Sequence, residues 1–197
     1  GRHWLFRIKL HQYWQPGYTI VTLVDGLPKS KFSRATAVAA GGPPAAVWAP
    51  CDLKNLPSNP FTPVLLAAVC RAVAVALQLS ESLPVGLAGL KPAALRDEID
   101  RLCRQAPATR VVVYIDNAQR LVNGELPFQD SQPAIQALAH LERRIHNLAL
   151  TLAFGSEKEM ADQLCGKLKT AGLDVKAVYM SSLTWFGVQQ WLNVQFK

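Results

Sequence analysis

The residues with the most chemistry in them follow the first strongly hydrophobic run. After YTIVTLV (18–24) and Asp25, the chain reads Gly26-Leu27-Pro28-Lys29-Ser30-Lys31-Phe32-Ser33. A loop that cradles phosphate between a strand and a helix has the form G-x-x-x-x-G-K-[ST]. Its glycines let backbone N–H groups close around the oxygens, its lysine supplies charge, and its hydroxyl reaches magnesium. Gly26 and Ser33 stand at the two ends of that spacing, but Lys31 replaces the second glycine and Phe32 replaces the lysine. A side chain then stands where backbone must approach phosphate, and an apolar ring takes the place of the main cation. Lys29 and Lys31 bring charge from other starting points, with Ser30 between them. The same octet also reads as an ordinary strand–turn–helix connection, and the loop alone does not separate the two readings.

A second candidate lies at the end of the strongest hydrophobic run, RVVVYID (110–116), which continues as Asn117-Ala118-Gln119-Arg120-Leu121. An Asp closing such a strand can hold a metal through water, and a Glu directly after it can orient an attacking water. Asp116 fills the first position and Asn117 the second, where an amide cannot serve as a general base. Asp116 also fits the simpler task of closing a turn at a strand end. No G-x-S-x-G elbow and no H-E-x-x-H pair occurs, and His3, His11, His140 and His146 have no partners at ligand spacing. No catalytic residue and no metal ligand is therefore assigned. Cys51, Cys70, Cys103 and Cys165 are widely scattered, which suggests reduced, buried thiols rather than a zinc site or a disulfide framework.

The elements that must position these residues alternate along the chain. Residues 4–14 have roughly helical spacing and stop at Pro16-Gly17. Strands are expected at 18–24, 45–50, 110–116, 148–155 and 175–180, each rich in Val, Ile, Leu or Ala. Helices are expected at 32–40, 61–79, 92–105, from Pro133 to about 147, after Ser156, and over the terminal WFGVQQWLNVQF. Cys51 to Pro60 reads as a loop. Arg96, Asp97, Asp100, Arg101 and Arg104 mark the wet side of the helix that Pro92 opens. Strands alternating with helices predict an α/β fold, three layers deep (α/β/α), with a mainly parallel five-stranded sheet in one domain over 1–197: an amino-terminal helix (1–17) and a core (18–192).

Half of the 197 residues are hydrophobic and 18% are charged, the balance of a globular chain. Gly1-Arg2, with no initiator Met, reads as a piece of a longer protein. The run 61–79 is broken by Pro63, Arg71 and Gln78, so it predicts a buried helix and no membrane span, in a cytoplasmic protein. The formal charge of +7 is spread over groups such as Lys29/Lys31/Arg34 and Arg143/Arg144/His146, expected on solvated helix faces, with an acidic partner left open.

Together the octet 26–33, the run VVVYIDNAQRL (111–121) and VYMSSLTWFGVQQWL (178–192) resemble the P-loop NTPase core of the STAND/AAA+ group, in its degenerate, inactive form. The second stretch is similar to the group's hhhhDEAxxL, with Asn117 in place of Glu. Thr151 lies too early in its strand, and Ser156 suits a helix cap, so neither matches the group's γ-phosphate sensor. The resemblance implies that Gly26, Lys29, Ser30, Lys31 and Ser33 are a remnant phosphate loop, and Asp116 and Asn117 a remnant Walker B element. It implies a non-catalytic scaffold or regulatory module in a signalling or bacterial defence protein, without a cofactor, whose partners are proteins or other domains of the same chain. One alternative is a nucleotide-binding switch that takes ATP and magnesium. Another is a DNA-binding regulator of AAA+ type, although no helix-turn-helix or RNA-binding signature occurs.

Overall fold

The computed structural model describes residues 18–23, 46–124, 126, 128–154 and 158–179. Five strands among them form one sheet: β1 (Tyr18–Leu23), β2 (Ala46–Asp52), β3 (Arg110–Asp116), β4 (Leu148–Phe154) and β5 (Asp174–Tyr179). Their order is β2-β3-β4-β1-β5, and every pairing is parallel. Four helices lie between them in sequence: α1 (Phe61–Leu77), α2 (Pro92–Arg104), α3 (Phe128–Arg144) and α4 (Lys158–Thr170). The chain is thus an α/β protein with a parallel sheet, as the alternation predicts. The amino-terminal and terminal helices, the helix at 32–40 and the octet 26–33 lie outside the described residues.

The strand pleat sorts side chains onto two faces. Val47, Ala49 and Cys51 of β2, Val111, Val113 and Ile115 of β3, and Leu148, Leu150 and Leu152 of β4 join one core with Leu65, Leu66, Val69 and Val73 of α1 and Ile135 and Leu138 of α3. The alternate residues, Pro50 and Asp52, Tyr114 and Asp116, and Thr151, take the other face. Val111 through Ile115 are all buried, which explains the unbroken hydrophobic run of β3: both faces of a central parallel strand are covered. Truncating a fully buried leucine such as Leu66 removes contacts worth about 2–5 kcal/mol. Asn147 locks the amino end of the sheet, its Nδ2 donating to the carbonyls of Cys103, Ala106 and Thr109 at 3.1, 3.2 and 3.0 Å.

Three local expectations are corrected. Helix α3 starts at Phe128, five residues before Pro133, which lies inside it. In the second turn a proline removes a single backbone bond, and Pro133 is exposed, so the helix accommodates it. Strand β2 runs through Pro50 to Asp52 instead of stopping at Pro50. Among the described residues it is an edge strand, paired on one side only. Finally, Asp100 is not on the wet side of α2 but buried, taking two bonds from Arg104 and one contact from Arg144 across to α3. All four cysteines are free and buried, and burial pushes the thiols of Cys51, Cys70 and Cys103 up to about 12. Among the described residues, no helix is long and apolar enough to cross a membrane.

Candidate functional site

The sheet topology fixes where chemistry can gather. From β1 the chain crosses to β2 at one edge of the sheet, whereas from β4, the neighbour of β1, it crosses to β5 on the opposite side. The strand order therefore reverses between β1 and β4, and the carboxyl ends of strands at such a switch point form the usual ligand crevice of an open parallel sheet. Strand β1 ends there at Leu23, two residues before Asp25 and the octet that begins at Gly26. Strand β3, next to β4, carries Asp116 to the same carboxyl edge.

At that edge Asp116 does not stand alone. The β2–β3 register pairs Asp52 with Asp116, so two carboxylates end adjacent strands on one face of the sheet. The ladder continues one step further, with Leu53 N–H donating to the Asp116 carbonyl at 3.1 Å. Asn117 joins the two acids. Its backbone N–H donates to Asp116 Oδ1 at 2.8 Å, and its side-chain Nδ2 donates to Asp52 Oδ1 at 2.7 Å. Asp52 Oδ1 also accepts from the Lys54 N–H at 3.0 Å.

The backbone of Asn117 is left-handed, with φ 57° and ψ 40°, a conformation that Asn tolerates better than most residues. It turns the chain sharply out of β3 into the short helical turn Ala118–Leu121. There the Arg120 guanidinium reaches back to the carbonyls of Leu53 and Leu56 and to Ser58 Oγ, and lies 5.7 Å from the centre of the Phe61 ring. Arg120 thus ties the β2–α1 connection to the end of β3.

Below the acids, Tyr114 lies two residues before Asp116 on the same face and is buried opposite Thr151 of β4. Burial raises its phenol above the ordinary range, and the Asp116 and Asp52 charges push in the same direction. The phenol therefore stays protonated and neutral beneath an anionic edge.

Of the residues singled out by sequence, the structure brings together Asp116 and Asn117. Gly26, Lys29, Ser30, Lys31, Phe32 and Ser33 lie outside the described residues. Asp52 was missed, because Pro50 ends the recognisable strand pattern and leaves Asp52 reading as loop. The only hint in the sequence is that VWAPCD closes, like VVVYID, on an aspartate. Among the described residues no group of three or more His, Cys, Asp or Glu side chains is placed to hold a metal ion.

No protein-family model matches the chain, and no curated protein matches it in sequence. Solved structures match it in shape. The Walker-type ATPase PABY2304 of Pyrococcus abyssi aligns over 98% of this chain with a TM-score of 0.60 and 14% identity. The Aeropyrum pernix ORC2 protein, solved as ADPNP and ADP complexes, aligns over 98% with a TM-score of 0.55 and 10% identity. A chain of Drosophila ORC bound to GC-rich DNA and Cdc6 aligns over 92% with a TM-score of 0.50 and 13% identity.

This is a P-loop NTPase-like fold. At these identities the likeness extends to the fold alone. The chain spans 57%, 48% and 57% of these three structures, so it corresponds to about half of each.

Proposed function

We propose that this chain is a P-loop NTPase-like module that has kept the architecture and given up turnover, and that it acts as a scaffold or regulatory interaction module. The observation that carries this reading is the state of Asn117. It occupies the position from which a carboxylate would activate water, it has no basic oxygen to do so, and its amide is held against Asp52. The octet 26–33 points the same way, since Lys31 and Phe32 stand where a glycine and a lysine would cradle and neutralise phosphate. Phosphoryl transfer relies almost wholly on positioning and charge compensation, so losing these groups together is expected to remove the rate.

The fit to a magnesium nucleotide is partial. Asp116 and Asp52 would supply the acidic edge, and Ser33 a hydroxyl. Bound ATP and magnesium would supply a transferable phosphoryl group and positive charge to offset its own. Asp116 and Asp52 would be the residues to hold that metal, and Asn117 would offer no base to take a proton from water. On this reading the module is a three-layer α/β/α fold that works without a cofactor, as part of a longer chain, and meets protein partners or neighbouring domains. Signalling and bacterial defence are the settings in which we place it.

A second reading, a nucleotide-binding switch, draws on the paired carboxylates of Asp52 and Asp116 beside the switch point of the sheet. Thermal unfolding in millimolar ATP and magnesium separates the two. The scaffold reading expects no shift in Tm, whereas a rise that is lost in Asp116→Ala supports the switch.

A further inference from the structure

A cleft of about 550 Å³ opens where α1, α2, α3 and the end of α4 meet, and it shares no residue with the carboxyl edge. Pro133, Ala137, His140 and Arg143 line it from α3 at steps of four, three and three residues, which is one stripe of a helix. The cleft therefore follows α3 for about 15 Å, ten residues at the helical rise. Pro92 and Arg96 of α2 form the opposing wall.

Its charge is one-sided. Arg96 and Arg143 line it beside the His140 imidazole, and none of the described lining residues is acidic. Neighbouring arginines are compensated: Arg101 pairs with Glu98, Arg104 with Asp100, and Arg144 with Asp97 and Asp100. Arg96 and Arg143 make no ion pair or hydrogen bond among the described residues. His140 feels the excess: its pKa is lowered by burial first and then by Arg96, Arg144 and Arg143, with Asp97 alone acting in the other direction. The rest of the lining includes Pro92, Pro133 and Ala137, an apolar floor between the cations.

We propose that this cleft docks an acidic peptide segment of a protein partner, its carboxylates meeting Arg96, His140 and Arg143 and its apolar side chains lying on Pro92, Pro133 and Ala137. A groove about 15 Å long suits two to three turns of helix, or a shorter extended stretch. Charge complementarity selects acidic sequences, and the prolines and alanine select apolar residues between the acids. The described lining holds no Phe, Tyr or Trp, the broad rings on which successive nucleobases stack. Two arginines on one short cleft are too few to follow the phosphates of a duplex backbone, which favours a peptide over a nucleic acid. The inference stands apart from the reading of Asp116 and Asn117, and either can fail without the other.

The test is fluorescence anisotropy on the whole chain, with a labelled peptide of repeated Glu-Glu-Ala-Leu and its Gln-for-Glu counterpart. R96A/R143A is compared with K167A/K169A, which removes the same charge from α4, and circular dichroism verifies that both variants fold. The expected result is binding of the Glu peptide, weakened about ten-fold or more by the Gln exchange and by R96A/R143A, and within about two-fold of the unaltered chain in the lysine variant. Equal binding by R96A/R143A overturns the proposal, as does absence of binding at millimolar peptide. So does a labelled DNA duplex that binds through Arg96 and Arg143 when the Glu peptide does not.

Discussion

The contact between Asn117 and Asp52 joins two strand ends that are 65 residues apart in sequence, and its strength can be worked out from the geometry. The bond is 2.7 Å long, has an ionised acceptor and lies between half-buried groups, so it contributes about 1.5 kcal/mol, the lower end for charge-assisted bonds. Asp52→Ala removes it and also leaves the Lys54 N–H without its acceptor, for a total of about 2 kcal/mol. Asn117→Gly removes the same bond while keeping the left-handed backbone at φ 57° easy to reach, so about 1.5 kcal/mol is expected. Asn117→Ala adds the cost of a Cβ in that conformation, about 1 kcal/mol more.

Urea unfolding of the two single variants and of D52A/N117G then closes a double-mutant cycle, with an expected coupling of about 1–1.5 kcal/mol. A coupling below about 0.5 kcal/mol, the level at which independent sites add, refutes the reasoning. So does an N117G variant no more stable than N117A. The same geometry makes Asn117→Glu worse than Asn117→Ala near neutral pH, because it sets a second carboxylate against Asp52. Asp52→Asn is expected to rescue it.

Three further predictions concern the framework. Burial raises the Glu142 carboxyl of α3 from its ordinary 4.5 to about 8, so the folded chain holds a proton there that the unfolded chain has released. Its contribution is complete below about pH 4.5 and is lost as pH rises through about 8, a change of the order of 5 kcal/mol at most. Glu142→Gln should flatten the alkaline fall in urea midpoints between pH 6 and pH 9, and an unchanged slope refutes the assignment. Asn147→Ala strips three carbonyls of their shared donor and should lower stability by about 1–3 kcal/mol in urea unfolding, and Asn147→Asp should cost more, because it sets an acceptor-only carboxylate against those oxygens. Arg120→Met keeps the stem over Phe61 but frees the Leu53 and Leu56 carbonyls. It should expose residues 53–60 to limited proteolysis, and a cleavage pattern like that of the unaltered chain counts against the tether.

The residues that were legible in sequence share a property: their environment is decided locally. β3 is covered on both faces, so Val111 to Ile115 announce themselves, and Asp116 ends the run where the chain leaves the sheet. Asp52 was not legible, because its role comes from pairing across 64 residues with Asp116, and Pro50 conceals the strand that carries it. Pro133 misplaced the start of α3 for a related reason: a proline marks a first turn more often than a second. Asp100 reads as a solvated charge until Arg104 and Arg144 are seen to enclose it. Nor does alternation of strands and helices contain the order β2-β3-β4-β1-β5, on which the position of the switch point depends.

Steady-state phosphate release from ATP, with magnesium and the purified chain, tests the central claim most directly. Architecture without turnover gives the rate of the buffer, unchanged in Asp116→Ala and Ser33→Ala. Release above that background, abolished by Asp116→Ala and retained when Asn117 is exchanged for glycine, contradicts it.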